Sequence, residues 1–379
     1  MRRKCDFYLE PNSILRGDFN MNSENPAAEL ITSGSQVTVS WLDTVLRRVG
    51  AISAGAVRNF NVLDSGPATN SVSVRLEVHY EPESMGELPQ KLFLKICDKP
   101  EFGSSEIEYY QRDYLDMADA PLPRCYHTGY AEGCYHLLLG DVSDTHEPSW
   151  KRGASKDLAI GLAQSLATLH AHRWGSSRLS EVGYQVPDRD VFSKYFGHLE
   201  QGIAPMAAEL AAGPEQKWLT WLSALLPKLP DLYLRRTDKG ADIAVLHGDT
   251  NPGNVLAPYG EGQVLLIDRQ PFEWSLVCWL GVSDIAHALV VRREISERRE
   301  MEHEVLKAYH QALVDQGVNG YSFERLYEDY RFCLVEHLLA AVSWCIEAEE
   351  RERMKWLWTE QLKRAIAALE DHDAIGIWN

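Results

Sequence analysis

The sequence predicts an α+β protein of two lobes, a small β-rich N-terminal lobe and a larger, mainly helical C-terminal lobe. Three observations carry this expectation. At 379 residues the chain is too long for one small core. Runs of alternating apolar residues crowd into roughly the first 140 residues. From residue 155 onward apolar residues recur at helical spacing, interrupted by one strand-like stretch at 254–268. The expected divisions are an N-terminal extension at 1–36, a first lobe at 37–138 and a second at 139–379.

Residues 1–36 are polar and irregular and read as a loosely held extension. "SWLDTVLRRVG" (40–50) reads as a helix, with Ser40 as its N-cap, Leu42, Val45, Leu46 and Val49 on one face, and Gly50 as its stop. A hairpin follows, whose second strand alternates Val72, Val74, Leu76, Val78 and Tyr80. "KLFLKIC" (91–97) is a further strand, "SSEIEYYQRDYLDMA" (104–118) a helix, and "RCYHTGYAEGCYHLLLGDV" two strands around a turn. In the second lobe, "SKDLAIGLAQSLATLHAH" (155–172) places Leu158, Leu162, Leu166 and Leu169 on one helical face. "PEQKWLTWLSALLPKL" and nearly everything from residue 297 onward are helical.

Composition narrows the partners. Fifty-five acidic residues against 38 Lys and Arg give a net charge of −17, which disfavours nucleic acid, since phosphate backbones need clustered cations. The same balance suits a cationic or neutral small substrate. Seven cysteines without a CxxC pair read as reduced thiols of a cytoplasmic protein. No apolar segment opens the chain as a signal peptide would, and the longest apolar run, 274–282, is too short to span a bilayer. A membrane partner is not expected.

The chemistry concentrates in "VLHGDTNPGNVLAP" (245–258). "NVLA", the turn residues "PYGEGQ" and "VLLID" form a hairpin. If Ala257 faces Val264, then Asn254 faces Ile267, and Asp268 lies at the same open end as Asn254. The Pro-Gly loop curls Asp249 over that end. An amide and a carboxylate are hard oxygen ligands suited to Mg²⁺. A second carboxylate beside them can orient or deprotonate a hydroxyl. Together they are the apparatus of phosphoryl transfer. H-x-D-x₄-N followed by a strand-ending Asp is also the protein-kinase pattern.

"HGDTNPGNV" resembles the H-G-D-x₄-N motif of the aminoglycoside phosphotransferase and choline kinase-like superfamily. The resemblance covers about residues 40–370 and implies a protein-kinase-like bilobal fold. It implies Asp249 as catalytic base and Asn254 and Asp268 as magnesium ligands. "WLGVSDIAHAL" is similar to the segment that packs under the site, with Asp284 as its Asp, a helix cap and loop brace, while His247 holds the loop. "LLLGDVSD" resembles the lobe connector, whose backbone at Leu138, Leu139 and Gly140 would meet adenine. The implied activity is an ATP- and Mg²⁺-dependent transfer of the γ-phosphate to a hydroxyl of a small molecule: an aminoglycoside, a choline-like amine, a sugar or another natural product.

Strand alternation puts Lys95 and Phe93 on one face of "KLFLKIC", and a Lys there needs an anionic partner. Glu106 and Glu108 are both within reach; "SEIEYY" resembles the family's pattern with Glu106 in the pairing position. Such a pair holds the α/β-phosphates of a nucleotide. "DSGPATNS" (64–71), with Gly66, would be the phosphate-covering turn, although it lacks GxGxxG.

Other stretches are open to two readings. Arg269, where the family has an aromatic residue or Gly, either bridges phosphates or makes a surface salt bridge. Cys125, His127, Cys134 and His136 form either a zinc site or ordinary strand packing, and packing is the better reading. Trp344, Trp356 and Trp358 with Glu347, Glu349 and Glu350 form either a cage for a cation or a helix with one buried and one solvated side. Two rival functions remain: a protein kinase-like regulator, although no A-P-E segment follows Asp268, and a nucleotide-binding pseudoenzyme.

Overall fold

The computed structural model describes residues 30–67, 71–99, 103–131, 133–210, 213–237, 240–269 and 276–378. The described chain divides into two compact units, one of 30–147 with 258–261 and one of 148–257 with 262–378. The first is sheet-rich and the second mainly helical, which makes the chain an α+β protein.

The first unit is built on an antiparallel sheet of five strands: β1 (Val57–Pro67), β2 (Val72–Tyr80), β3 (Lys91–Cys97), β4 (Cys125–Ala131) and β5 (Cys134–Gly140). Their order is β1-β2-β3-β5-β4. Alternation decides which face is buried: Leu92, Leu94 and Ile96 of β3 join Val74, Leu76 and Val78 of β2 in the core, under Leu42, Val45 and Leu46 of helix α1 (Val39–Arg48). Helix α1 begins one residue before Ser40. Thr38 is the N-cap, its hydroxyl accepting from the Trp41 N–H at 3.1 Å, and Ser40 lies inside the first turn. Gly50 stops the helix at φ +74°.

The stretch expected as one helix over 104–118 is a short α2 (Ser105–Glu108) that widens into a π-helical turn over Tyr109–Asp113. The tyrosine spacing explains it. Tyr109 and Tyr114, five residues apart, are both buried and meet edge-to-face at 5.0 Å, a contact that a five-residue turn favours over the four-residue α-turn.

Residues 1–29 of the expected extension lie outside the described residues. Its last part is anchored: Ile31 packs in the core, and its N–H donates to His136 Nδ1 at 3.0 Å.

In the second unit, α3 (Lys156–His172) is capped by Ser155 as expected. Helix α4 (Gln216–Leu225) and α5 (Leu229–Thr237) lead to strand β6 (Ile243–Val245), which pairs with β9 (Cys278–Leu280) across an intervening hairpin. That hairpin is β7 (Val255–Pro258) and β8 (Leu265–Leu266). Helices α6 (Val282–Val290), α7 (Ile295–Asp315), α8 (Phe323–Ser343) and α9 (Lys355–Asp371) complete the unit. Among the described residues no helix is long and apolar enough to cross a membrane.

Candidate active site

The β7–β8 hairpin has the register its turn residues predict. Val255 faces Leu266 and Leu256 faces Leu265, so Asn254 and Ile267 are opposite, and the Ile267 N–H donates to the Asn254 carbonyl at 3.0 Å. Asp268 is the next residue, with φ at +62°, a left-handed conformation that costs a non-glycine residue about 1–2 kcal/mol. Such local strain is characteristic of functional positions.

Asp249 closes over the same end. The Asn254 side-chain amide donates to the Asp249 carbonyl at 3.0 Å and to its carboxylate at 3.1 Å, and the Asn251 amide donates to the carboxylate at 2.9 Å. Burial pushes the Asp249 carboxyl up to about 6, against the lowering by Asn251, Arg292 and Asn254; the nearby charge of Asp268 adds to the rise. A base with its pKa near neutrality is suited to taking up a hydroxyl proton.

The loop itself is hung from one buried carboxylate. Asp284, in the first turn of α6, accepts from the backbone N–H groups of His247 at 2.7 Å and Gly248 at 2.9 Å. Its other contact is His170 Nε2, at 3.1 Å. Burial alone would raise the Asp284 carboxyl, but the bonds from His170 and His247 outweigh it and hold it below its ordinary range. The helix N-cap is Gly281, so Asp284 braces the loop without capping the helix. Gly248 has φ +81°, which lets successive N–H groups turn toward one carboxylate. Gly281 is required by space: a Cβ there would lie 2.4 Å from the Tyr309 hydroxyl and 2.7 Å from His170 Nδ1.

His247 ties the loop to the hairpin. Its Nε2 bonds the Ile267 carbonyl at 2.9 Å and its Nδ1 accepts from the Asp249 N–H at 3.3 Å, so both ring nitrogens serve the loop. Thr250 adds a hydroxyl bond to the Asp284 carbonyl at 2.9 Å. His170 and its Asp284 contact lie 114 residues apart, a pairing that no local spacing encodes.

In the first unit, Lys95 Nζ lies 2.7 Å from Glu106 Oε2, which settles the choice between the two glutamates. Glu108 instead accepts from Ser104 at 2.7 Å and Arg112 at 3.1 Å. The Tyr135 hydroxyl donates to Glu106 at 2.6 Å. Sequence reasoning missed Tyr135, although alternation along β5 puts it on the Lys95 face of the sheet. Leu138 and Leu139 lie inside β5 and pair with strands on both sides, while Gly140 ends the strand, its N–H donating to the Arg124 carbonyl at 2.8 Å. A Cβ on Gly66 would meet nothing within 4 Å, and residues 68–70 of that turn lie outside the described residues.

Arg269 is neither on the surface nor in a surface salt bridge. It is fully buried, and its Nε donates to the Leu246 carbonyl at 3.1 Å. The Cys and His residues of β4 and β5 pack as ordinary strand residues: the His127 and His136 rings stack at 5.1 Å with Nδ1 and Nε2 2.9 Å apart. Among the described residues no group of three or more His, Cys, Asp or Glu is arranged to hold a metal. The three tryptophans do not form a cage, since Trp358 is buried with its N–H on the Arg351 carbonyl and Trp356 is 66% exposed.

Residues 85–268 match the phosphotransferase enzyme family. The match ends at Asp268, the last residue of the Asp249, Asn254 and Asp268 set. No curated protein matches the sequence significantly. Among solved structures, the chain is similar to a Plasmodium vivax ethanolamine kinase (11% identity, 91% of this chain and 96% of that one covered, TM-score 0.49). It is also similar to an aminoglycoside-3'-phosphotransferase of type VIII (21% identity, 76% and 98% covered, TM-score 0.40). A third is an aminoglycoside phosphotransferase from Alicyclobacillus acidocaldarius (14% identity, 82% and 92% covered, TM-score 0.45). Similarities this low say nothing of the acceptor.

The residues present fit a magnesium ion. The Asn254 amide nitrogen is spent on Asp249, which leaves its oxygen available to a metal, and the Asp268 carboxylate would supply a second ligand. Two hard oxygen ligands, with waters and phosphates completing the shell, are the usual protein share of a Mg²⁺ site.

Proposed function

We propose that the chain is an ATP- and Mg²⁺-dependent kinase that phosphorylates a hydroxyl of a small molecule. The observation that carries the reading is the hairpin register, which sets Asn254 and Asp268 at one end under Asp249. Asn254 and Asp268 would hold Mg²⁺, which neutralises phosphate charge when bound. Lys95, fixed by Glu106, holds the α/β-phosphates. Asp249 orients the acceptor hydroxyl and takes its proton as the new oxygen–phosphorus bond forms. The bond to the β-phosphate oxygen breaks and ADP leaves. The backbone near Gly140 is the proposed adenine contact, with the turn around Gly66 covering the phosphates. A panel of alcohols scored for ADP release and phosphorylated product tests the reading. Magnesium-dependent transfer to a panel member is expected; ATP bound but never cleaved, with or without acceptor, would favour a pseudoenzyme.

A further inference from the structure

One cavity of the second unit, about 260 Å³, lies against the Asp249 loop. Thr250, Pro252 and Val255 form its loop side, and Leu158, Leu162 and Ala288 give it an apolar floor. Trp150, 62% exposed, supplies an aromatic wall. The charged residues lining it are Arg292, Arg293 and Glu297.

The two arginines are unlike most others in this acidic chain. Arg298, one turn further on, is spent on Glu302 and Asp371, and Arg236 on Asp242 and Asp329. Neither Arg292 nor Arg293 makes a hydrogen bond or ion pair among the described residues. Glu297 lies near Arg293, and the carboxylate that acts on Arg292 is Asp249 itself. A guanidinium presents a planar fork of donors matched to carboxylate and phosphate oxygens. Arg292 is exposed and Arg293 half-buried, so both forks stand at the open rim of the cavity beside the proposed base, where an anionic group can reach them.

Resting on the kinase reading above, we propose that the acceptor is a small hydroxylated anion, its carboxylate or phosphate held by Arg292 and Arg293 while its hydroxyl meets Asp249. The overall charge of −17 points the other way, toward cations, but net charge acts at long range and is screened within roughly 10 Å, whereas the cavity acts by contact. A cation such as an aminoglycoside would meet two guanidiniums against the single lining carboxylate of Glu297. The apolar floor and Trp150 suit the carbon skeleton of the acceptor.

The test uses matched probes on the full chain with Mg²⁺ and ATP. Glycerate and gluconate supply carboxylates, glycerol 3-phosphate and glucose 6-phosphate supply phosphates, and glycerol, sorbitol and glucose are their neutral twins. Choline and kanamycin supply cations. Transfer is scored as kcat/KM from ADP release and product mass, and binding by calorimetry. The expected result is at least tenfold preference for an anion over its twin; which arm shows it distinguishes carboxylate from phosphate. In a folded R292Q/R293Q variant the preference should collapse toward unity. An equal loss for anion and twin would mean that the arginines act only through Asp249, and would overturn the inference. So would an anion bound no better than its twin, or transfer to neutral or cationic acceptors alone, which leaves the kinase reading standing. Failure of every probe together with no ATP cleavage overturns both.

Discussion

The Lys95–Glu106 pair of the first unit and the Asp249 loop of the second are both polar groups set among apolar residues, and they are held in opposite ways. The pair is side chain to side chain: two opposite charges 2.7 Å apart, steadied by the Tyr135 hydroxyl. The loop is held through its backbone, with two N–H groups and His170 converging on the single carboxylate of Asp284. A side-chain pair can be replaced as a unit without touching the chain's path. A loop hung by its backbone from one residue loses its path when that residue goes. The difference teaches that loss of function and loss of fold should separate in the first unit and coincide in the second.

The largest effect is expected at the metal. D268A should abolish turnover and weaken Mg²⁺-dependent nucleotide binding, measured by calorimetry with and without EDTA, while the circular dichroism spectrum is retained. Equal ATP turnover in mutant and parent would remove Asp268 from the site. Next, D284A should lower stability in urea by about 3–5 kcal/mol, because it strands two buried N–H groups and His170. Turnover should fall with it. A stable D284A enzyme would break the comparison.

In the first unit, the paired change K95M/E106Q removes both charges and keeps the bulk. Stability should move by less than about 1–2 kcal/mol, since replacing both members of a buried pair is close to neutral. The kcat/KM for ATP should nonetheless drop by at least tenfold. Normal ATP kinetics with a lowered Tm would make Lys95 a structural lysine. The smallest effect is on pH. Asp249 must be ionised to take a proton, and burial raises its pKa to about 6. The acid limb of kcat/KM should therefore rise with pH through about 6 and flatten above it. A limb near the ordinary aspartate value would mean that Asp249 sits in a wetter place.

How much of this was legible in the sequence follows the same division. The hairpin register could be read because its turn residues and apolar runs are adjacent in the chain, and the observed pairing of Val255 with Leu266 agrees with it. Lys95 was legible because a charge interrupted an apolar strand. The partner choice was settled only by packing, where Glu106 turns inward with Tyr135. The Asp284 brace could be placed by resemblance, but its geometry could not, since it closes 37 residues back to His247 and 114 to His170. Of the two readings of Arg269, the surface salt bridge assumed that polarity means exposure, and the structure buries the side chain with its Nε on a backbone carbonyl. Helix 104–118 failed for a different reason. Propensity favours a continuous helix there, and the inward tyrosines override it.

The central claim is that Asp249 performs catalysis and does not merely turn the chain, and D249N tests it most directly. The substitution keeps the size and one acceptor oxygen but removes the charge. Nucleotide affinity by calorimetry and phosphorylated product by mass spectrometry are measured on the same preparation. The account predicts that Mg²⁺–ATP still binds, because Lys95, Asn254 and Asp268 are untouched, while turnover falls by about a hundredfold or more. Retained turnover in D249N would contradict the account and reduce Asp249 to a turn residue.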